Sequence, residues 1–210
     1  MTRARVVAVS GSLHHPSKTT ALVSEITRSL GRVLPIESRL IRIDELGPQF
    51  AGALRRSDLP APVEDALRAI ETADVLIVGT PVYRASFTGL FKHLFDFVDQ
   101  FALVDLPILL AATGGSERHS LIIEHQLRPL FGFFQALTLP VGVYAHDSDF
   151  TDHAVSGARL TERIDKALER ALPLIRSSLA ESQRIRAEVE AGDGAQPTTA
   201  DEPRPVRLIS

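Results

Sequence analysis

Five short apolar runs, separated by stretches of helical periodicity, restrict the fold of this 210-residue chain more than any other feature. The runs "RVVAVS" (5–10), "DVLIVG" (74–79) and "LPILLAA" (106–112) are almost free of polar residues, as strands covered on both faces are. Residues 37–43, "ESRLIRI", alternate polar and apolar like a half-exposed strand, and 139–144 reads as a fifth strand. Between and after them, 17–30, 62–72, 87–101, 121–136 and 158–175 carry apolar residues at helical spacing. A strand–helix alternation of this kind predicts an α/β fold, a doubly wound parallel sheet of five strands with helices on both faces.

Composition narrows the functional classes. A net charge of −3 gives no electrostatic basis for nucleic-acid binding. The absence of cysteine excludes disulfides, thiol redox chemistry, Fe–S clusters and cysteine-based zinc sites. The seven histidines (14, 15, 93, 119, 125, 146 and 153) form no HExxH or comparable ligand pattern, so no metal is expected. No apolar run reaches the length of a membrane span and the first residues are too short in apolar length for a signal peptide, so the expected location is the cytoplasm, without membrane association. Residues 1–177 are expected to form one domain. The Gly-, Pro- and acid-rich end, 178–210, reads as a mobile polar tail.

In a doubly wound sheet a ligand binds beyond the carboxyl ends of the strands, where strand order switches direction. Three loops lie there. The first, "SGSLHHPSKTT" (10–20), holds the hydroxyls of Ser10, Ser12, Ser17, Thr19 and Thr20. Its spacing admits two readings, a polar turn before a helix capped by Ser17, or a loop that presents hydroxyls and helix N-terminal amides to an anion. Neither GxxxxGK[ST] nor GxGxxG is present, which argues against a nucleoside triphosphate loop and removes the dinucleotide fingerprint. The second, "TPVYRAS" (80–86), offers Pro81, Val82, Tyr83, Arg84 and Ser86, an aromatic and apolar set suited to a flat ring. In the third, "TGGS", Thr113, Gly114, Gly115 and Ser116 allow close backbone approach to a ligand edge or simply make a tight turn. No GxSxG nucleophile motif occurs.

Taken together, "GS…PS.TT", "GTPVYRASFTGLFKHLFDFV", "ATGGSERH" and "GVYAHDSDF" resemble the NAD(P)H-dependent FMN reductases over about residues 4–176. The similarity is greatest to the flavin reductase components of two-component alkanesulfonate or methanesulfonate monooxygenases. The resemblance implies a flavodoxin-like sheet of order 2-1-3-4-5, FMN as flavin and NADH or NADPH as reductant. It also implies a homodimer or homotetramer, and a partner monooxygenase that receives FMNH2. By position, Ser10, Ser12, Ser17, Thr19 and Thr20 would hold the flavin phosphate. Pro81, Val82, Tyr83, Arg84 and Ser86 would line the ring and ribityl chain, and Thr113, Gly114, Gly115 and Ser116 would meet the ring edge. No catalytic acid or base is expected, because hydride transfer rests on positioning.

Two departures stand out. Many relatives carry Arg near His14, so one phosphate contact is missing here, which implies weaker flavin binding. His125 occupies a place where such reductases often carry Tyr in a helix widened by an inserted residue, which implies that His125 modulates flavin retention. The same resemblance leaves two alternatives, a quinone or azo-dye reductase that keeps FMN bound and a flavodoxin-like electron carrier.

Overall fold

The apolar runs become the strands of one parallel sheet. The architecture, known from a computed structural model, is described for residues 3–193. In chain order it comprises β1 (Ala4–Ser10), α1 (Lys18–Gly31), β2 (Ile36–Arg42), α2 (Ile43–Phe50), α3 (Ala61–Glu71), β3 (Val75–Pro81), α4 (Gly89–Asp96) and β4 (Pro107–Gly114). A π-helical turn (Ile123–Leu127), α5 (Arg128–Phe133), β5 (Leu137–Thr138), β6 (Val143–His146), a small hairpin of β7 (Phe150–Thr151) and β8 (Ala154–Val155), and α6 (Ala158–Asp193) follow. The sheet order is β2-β1-β3-β4-β5, with β6 also paired to β4 and all neighbours parallel. The direction of winding reverses at β1, which places the switch point between β1 and β3.

Alternation along the strands divides the core into two layers, because successive side chains of a strand point to opposite faces. Val7, Val9, Leu76, Val78, Ile108 and Leu110 face α2, α3, α4 and α5. Val6, Ala8, Val75, Ile77, Leu109 and Ala111 face α1 and the first turns of α6. Helix α1 buries Leu22, Val23, Ile26 and Leu30 in this second layer, and each such side chain contributes about 1.5–3 kcal/mol relative to exposure. On the other face a run of rings, Phe87, Phe91, Phe95, Phe131 and Phe134, connects α4 to α5, with Phe95 4.9 Å from Phe91 and 5.0 Å from Phe131 between centroids.

Several expectations need correction. The fifth strand is not continuous over 139–144 but divided into β5 and β6. From Leu137 to Val143 there are six steps, facing four from Pro107 to Ala111 on β4. Pro140 has no N–H to give a ladder, and the carbonyl of Leu139 is taken by Arg128 at 3.2 Å. The helix expected over 87–101 is confined to α4. Thr88 caps it by accepting from the Phe91 N–H, and its C-cap is Phe97. The helix expected over 121–136 ends at Phe133, and the widening that the resemblance implies at His125 is present as the π-turn centred on that residue.

Contact density separates a first unit ending at Leu179 from a second beginning at Ala180. The helical stripe read at 158–175 continues in α6 to Asp193, so part of the segment read as a tail is helical. There Arg184 pairs along the helix with Glu181 and Glu188, as solvated helices often do. The remainder of the expected tail, 194–210, lies outside the described residues.

Candidate functional site

The three loops converge at the carboxyl edge of β1, β3 and β4, where hydrogen bonds to the backbone lock them together. The Gly11 N–H donates to Gly79 O (2.7 Å), Thr88 Oγ1 donates to Gly11 O (2.9 Å), and the Val82 N–H donates to Thr113 O (2.9 Å). Gly11 has no room for a side chain, since a Cβ would lie 2.8 Å from Phe91 Cδ2 and 3.1 Å from Gly79 O.

In the first loop Ser17 is the N-cap of α1 and accepts from the Thr20 N–H at 3.2 Å. Ser10 and Thr20 share a hydrogen bond of 2.8 Å, and Ser12 Oγ donates to His14 O while accepting from its N–H. Thr19 is placed differently. Only 2% exposed, it pairs with Thr113 Oγ1 at 2.6 Å. Two of the hydroxyls predicted to face a ligand thus join α1 to β4 inside the fold. Lys18 reaches across to Asp147 at 2.8 Å, and His14 is exposed.

The second loop makes a two-residue turn. Tyr83 and Ser86 exchange backbone hydrogen bonds of 2.9 and 3.1 Å, while Arg84 (φ 51°) and Ala85 (φ 66°) occupy the left-handed region. Non-glycine residues there cost on the order of 1 kcal/mol or more each, so the turn persists because its surroundings fix it. Part of that fixation comes from the π-turn, where Gln126 Oε1 accepts from Ser86 Oγ at 3.1 Å. Tyr83, 40% exposed, and Arg84 stand at the surface, and Pro81 and Val82 are half-buried beneath them.

Strand β6 supports the third loop, a role that no motif in the sequence marks. The Tyr144 hydroxyl donates to Ser116 O at 2.6 Å, and His146 Nε2 lies 3.1 Å from Gly115 O. A Cβ on Gly114 would sit 2.5 Å from Tyr144 Oη, so Gly114 is what lets the ring fit. Burial, reinforced by Glu117, pushes the Tyr144 phenol up from its ordinary value and keeps it a donor. Residues acting through backbone carbonyls leave no side-chain pattern to read, apart from the Tyr-x-His alternation of a strand end.

The donor set suits a phosphate-bearing flavin. Helix α1 has no acidic residue in its first turn, so the N-terminal amides that Ser17 does not cap carry a partial positive charge that no acidic residue of the helix itself offsets. Among the described residues no group of three or more His, Asp or Glu is arranged to hold a metal ion, and no helix is long and apolar enough to cross a membrane.

The chain is similar to several known proteins. An FMN reductase from Pseudomonas fluorescens, described as NADH-dependent and named SfnF, is 53% identical over 175 residues, covering 83% of this chain and 94% of its own. NADH-dependent SfnE of Pseudomonas putida is 56% identical over 169 residues, 80% and 91% of the two chains. An FMN reductase (NADPH) of Pseudomonas aeruginosa is 51% identical over 170 residues, 81% and 91%. Among solved structures, the apo form of the NADH:FMN oxidoreductase EmoB superimposes with a TM-score of 0.71 at 31% identity, covering 83% of this chain and 89% of its own. Residues 4–151 match the family of NADPH-dependent FMN reductases. The chain belongs to that family, and it is an oxidoreductase whose reactants are FMN and a reduced nicotinamide nucleotide.

Proposed function

We propose that this reductase treats FMN as a dissociable substrate and supplies FMNH2 to a partner sulfonate monooxygenase. The observation that carries the reading is the exposure of the second loop: Tyr83, Arg84 and Ala85 stand in solvent on a turn just beyond the carboxyl end of β3. Similarity to SfnE and SfnF supports it.

When bound, FMN supplies the ring that accepts two electrons from NAD(P)H. Ser17 and the first amides of α1 hold the phosphate, with Ser10, Ser12 and Thr20 fixing the loop behind them. Val82 and Tyr83 bound the ring, and the 113–116 loop meets its edge. Thr19, Thr113 and Ser86 serve through the bonds they make within the protein. Because the reaction needs alignment more than proton transfer by a side chain, no acid or base is assigned.

The experiment is an anaerobic titration with FMN in large molar excess over protein, NADH added and oxidised-flavin absorbance followed, with NADPH in a parallel arm. Bleaching of many FMN molecules per chain is the expected result. Bleaching that stops near one per chain would replace this reading with a quinone- or azo-type reductase retaining FMN.

An oligomer belongs to the same proposal. Phe101 and Phe133, 63% and 66% exposed, line a groove of about 740 Å³ between α4 and α5, an aromatic surface feature that a second copy of the chain could cover. Sedimentation velocity is expected to give a dimer or tetramer of the 22.9 kDa chain, and a single species of monomer mass would remove the idea.

A further inference from the structure

A trans peptide unit is planar, and its N–H points opposite to its C=O. Whatever captures a loop's carbonyls from one side therefore turns the following amides to the other. Two side chains of β6 do this to the third loop. Tyr144 and His146 are two positions apart, hence on one face of the strand, and they hold the carbonyls of Ser116 (2.6 Å) and Gly115 (3.1 Å), the first of which also accepts from the His119 N–H at 3.0 Å. The partners of those carbonyls are the N–H groups of Glu117 and Ser116, which are turned away from β6.

The His146 ring is itself oriented. The Ser148 N–H donates to Nδ1 at 3.1 Å, so Nδ1 is the acceptor and Nε2 carries the proton given to Gly115 O. Behind the loop, Asp149 Oδ2 accepts from the His146 N–H at 2.9 Å and pairs with Arg163. The end of β6 is thus a braced support under a glycine-bearing loop, tied on its other side to the second loop by Val82.

We infer that Tyr144 and His146 are positioning residues that aim the Ser116 and Glu117 amides at the flavin edge where negative charge accumulates on reduction. This rests on the proposed placement of the 113–116 loop against the ring. Amides held in place before the reaction stabilise the reduced form more than the oxidised one, because they need no reorganisation as charge appears. Their effect is therefore on the ratio of the two affinities.

The test measures the dissociation constants of the flavin-free full chain for oxidised FMN, by flavin fluorescence, and for chemically reduced FMN, by anaerobic calorimetry. Two variants are compared with the parent. Tyr144→Phe removes one hydroxyl and keeps the ring. Glu117→Pro deletes one of the two amides at the first position of a 3₁₀ turn, where proline is tolerated, after Ser116 in an extended conformation. Both are expected to lower the preference for reduced over oxidised FMN by about tenfold, equivalent to ~30 mV for a two-electron couple. If Glu117→Pro changes the ratio and Tyr144→Phe does not, the loop meets the flavin and Tyr144 does not aim it, which overturns the inference. The inference fails equally if Tyr144→Phe weakens both redox forms by one factor, since that is a purely structural role. If neither variant moves the ratio, the placement of the loop fails, and the inference with it.

Discussion

Truncating Phe95 to alanine is expected to lower folding stability by about 3–5 kcal/mol, the range for removing a large buried aromatic. Phe95 is 1% exposed and lies between Phe91 and Phe131, so its removal leaves a cavity, breaks the ring contact that joins α4 to α5 and removes the one to Phe91 within α4. For a chain of this size the melting temperature should fall by about 6–20 °C. Chemical denaturation at fixed protein concentration checks this, with the midpoint expected to drop and the slope to hold. Phe95→Leu, which refills most of the volume, should cost much less. An unchanged midpoint in Phe95→Ala would mean that the two helices are joined by something other than the ring ladder.

A methyl group at position 79 should disturb both stability and flavin binding. Gly79 lies on β3 in register with Ser10 of β1 and Ala111 of β4. A Cβ there would fall 2.5 Å from Val23 Cγ1 and 3.4 Å from Thr19 Cγ2. Valine is stiff at χ1 and cannot swing aside, so Gly79→Ala must push α1 off the sheet, at a cost of about 1–3 kcal/mol. Because Thr19 and Ser17 sit at the start of α1, the same displacement should raise the FMN dissociation constant. The check is a compensating pair: Val23→Ala in the Gly79→Ala background should recover part of both losses. Failure of the pair to recover either would show that the strain lies elsewhere.

Much of the fold was legible because β1, β3 and β4 are buried on both faces, so their composition betrays them. The reading failed where local chemistry competes with periodicity. Helix α2 was missed because Gly47 and Pro48 within "IDELGPQF" resemble a break. The fifth strand was drawn as one piece although Pro140 and Gly142 interrupt the ladder. For the site, the three loops could be named from their place after strands, and Ser17 from its capping chemistry. Which hydroxyls turn inward could not be known, since Thr19 and Thr113 meet across 94 residues. Gln126, Tyr144 and His146 were invisible as site residues because each works through another group.

The chain contains no tryptophan and two tyrosines, Tyr83 and Tyr144. One stands exposed on the second loop and the other is buried under the third. Excited at the red edge of tyrosine absorption, where phenylalanine contributes little, the protein's own ultraviolet emission comes from these two rings. It is therefore a built-in reporter of the second and third loops. If FMN binds where proposed, its entry should quench this emission, with no label attached.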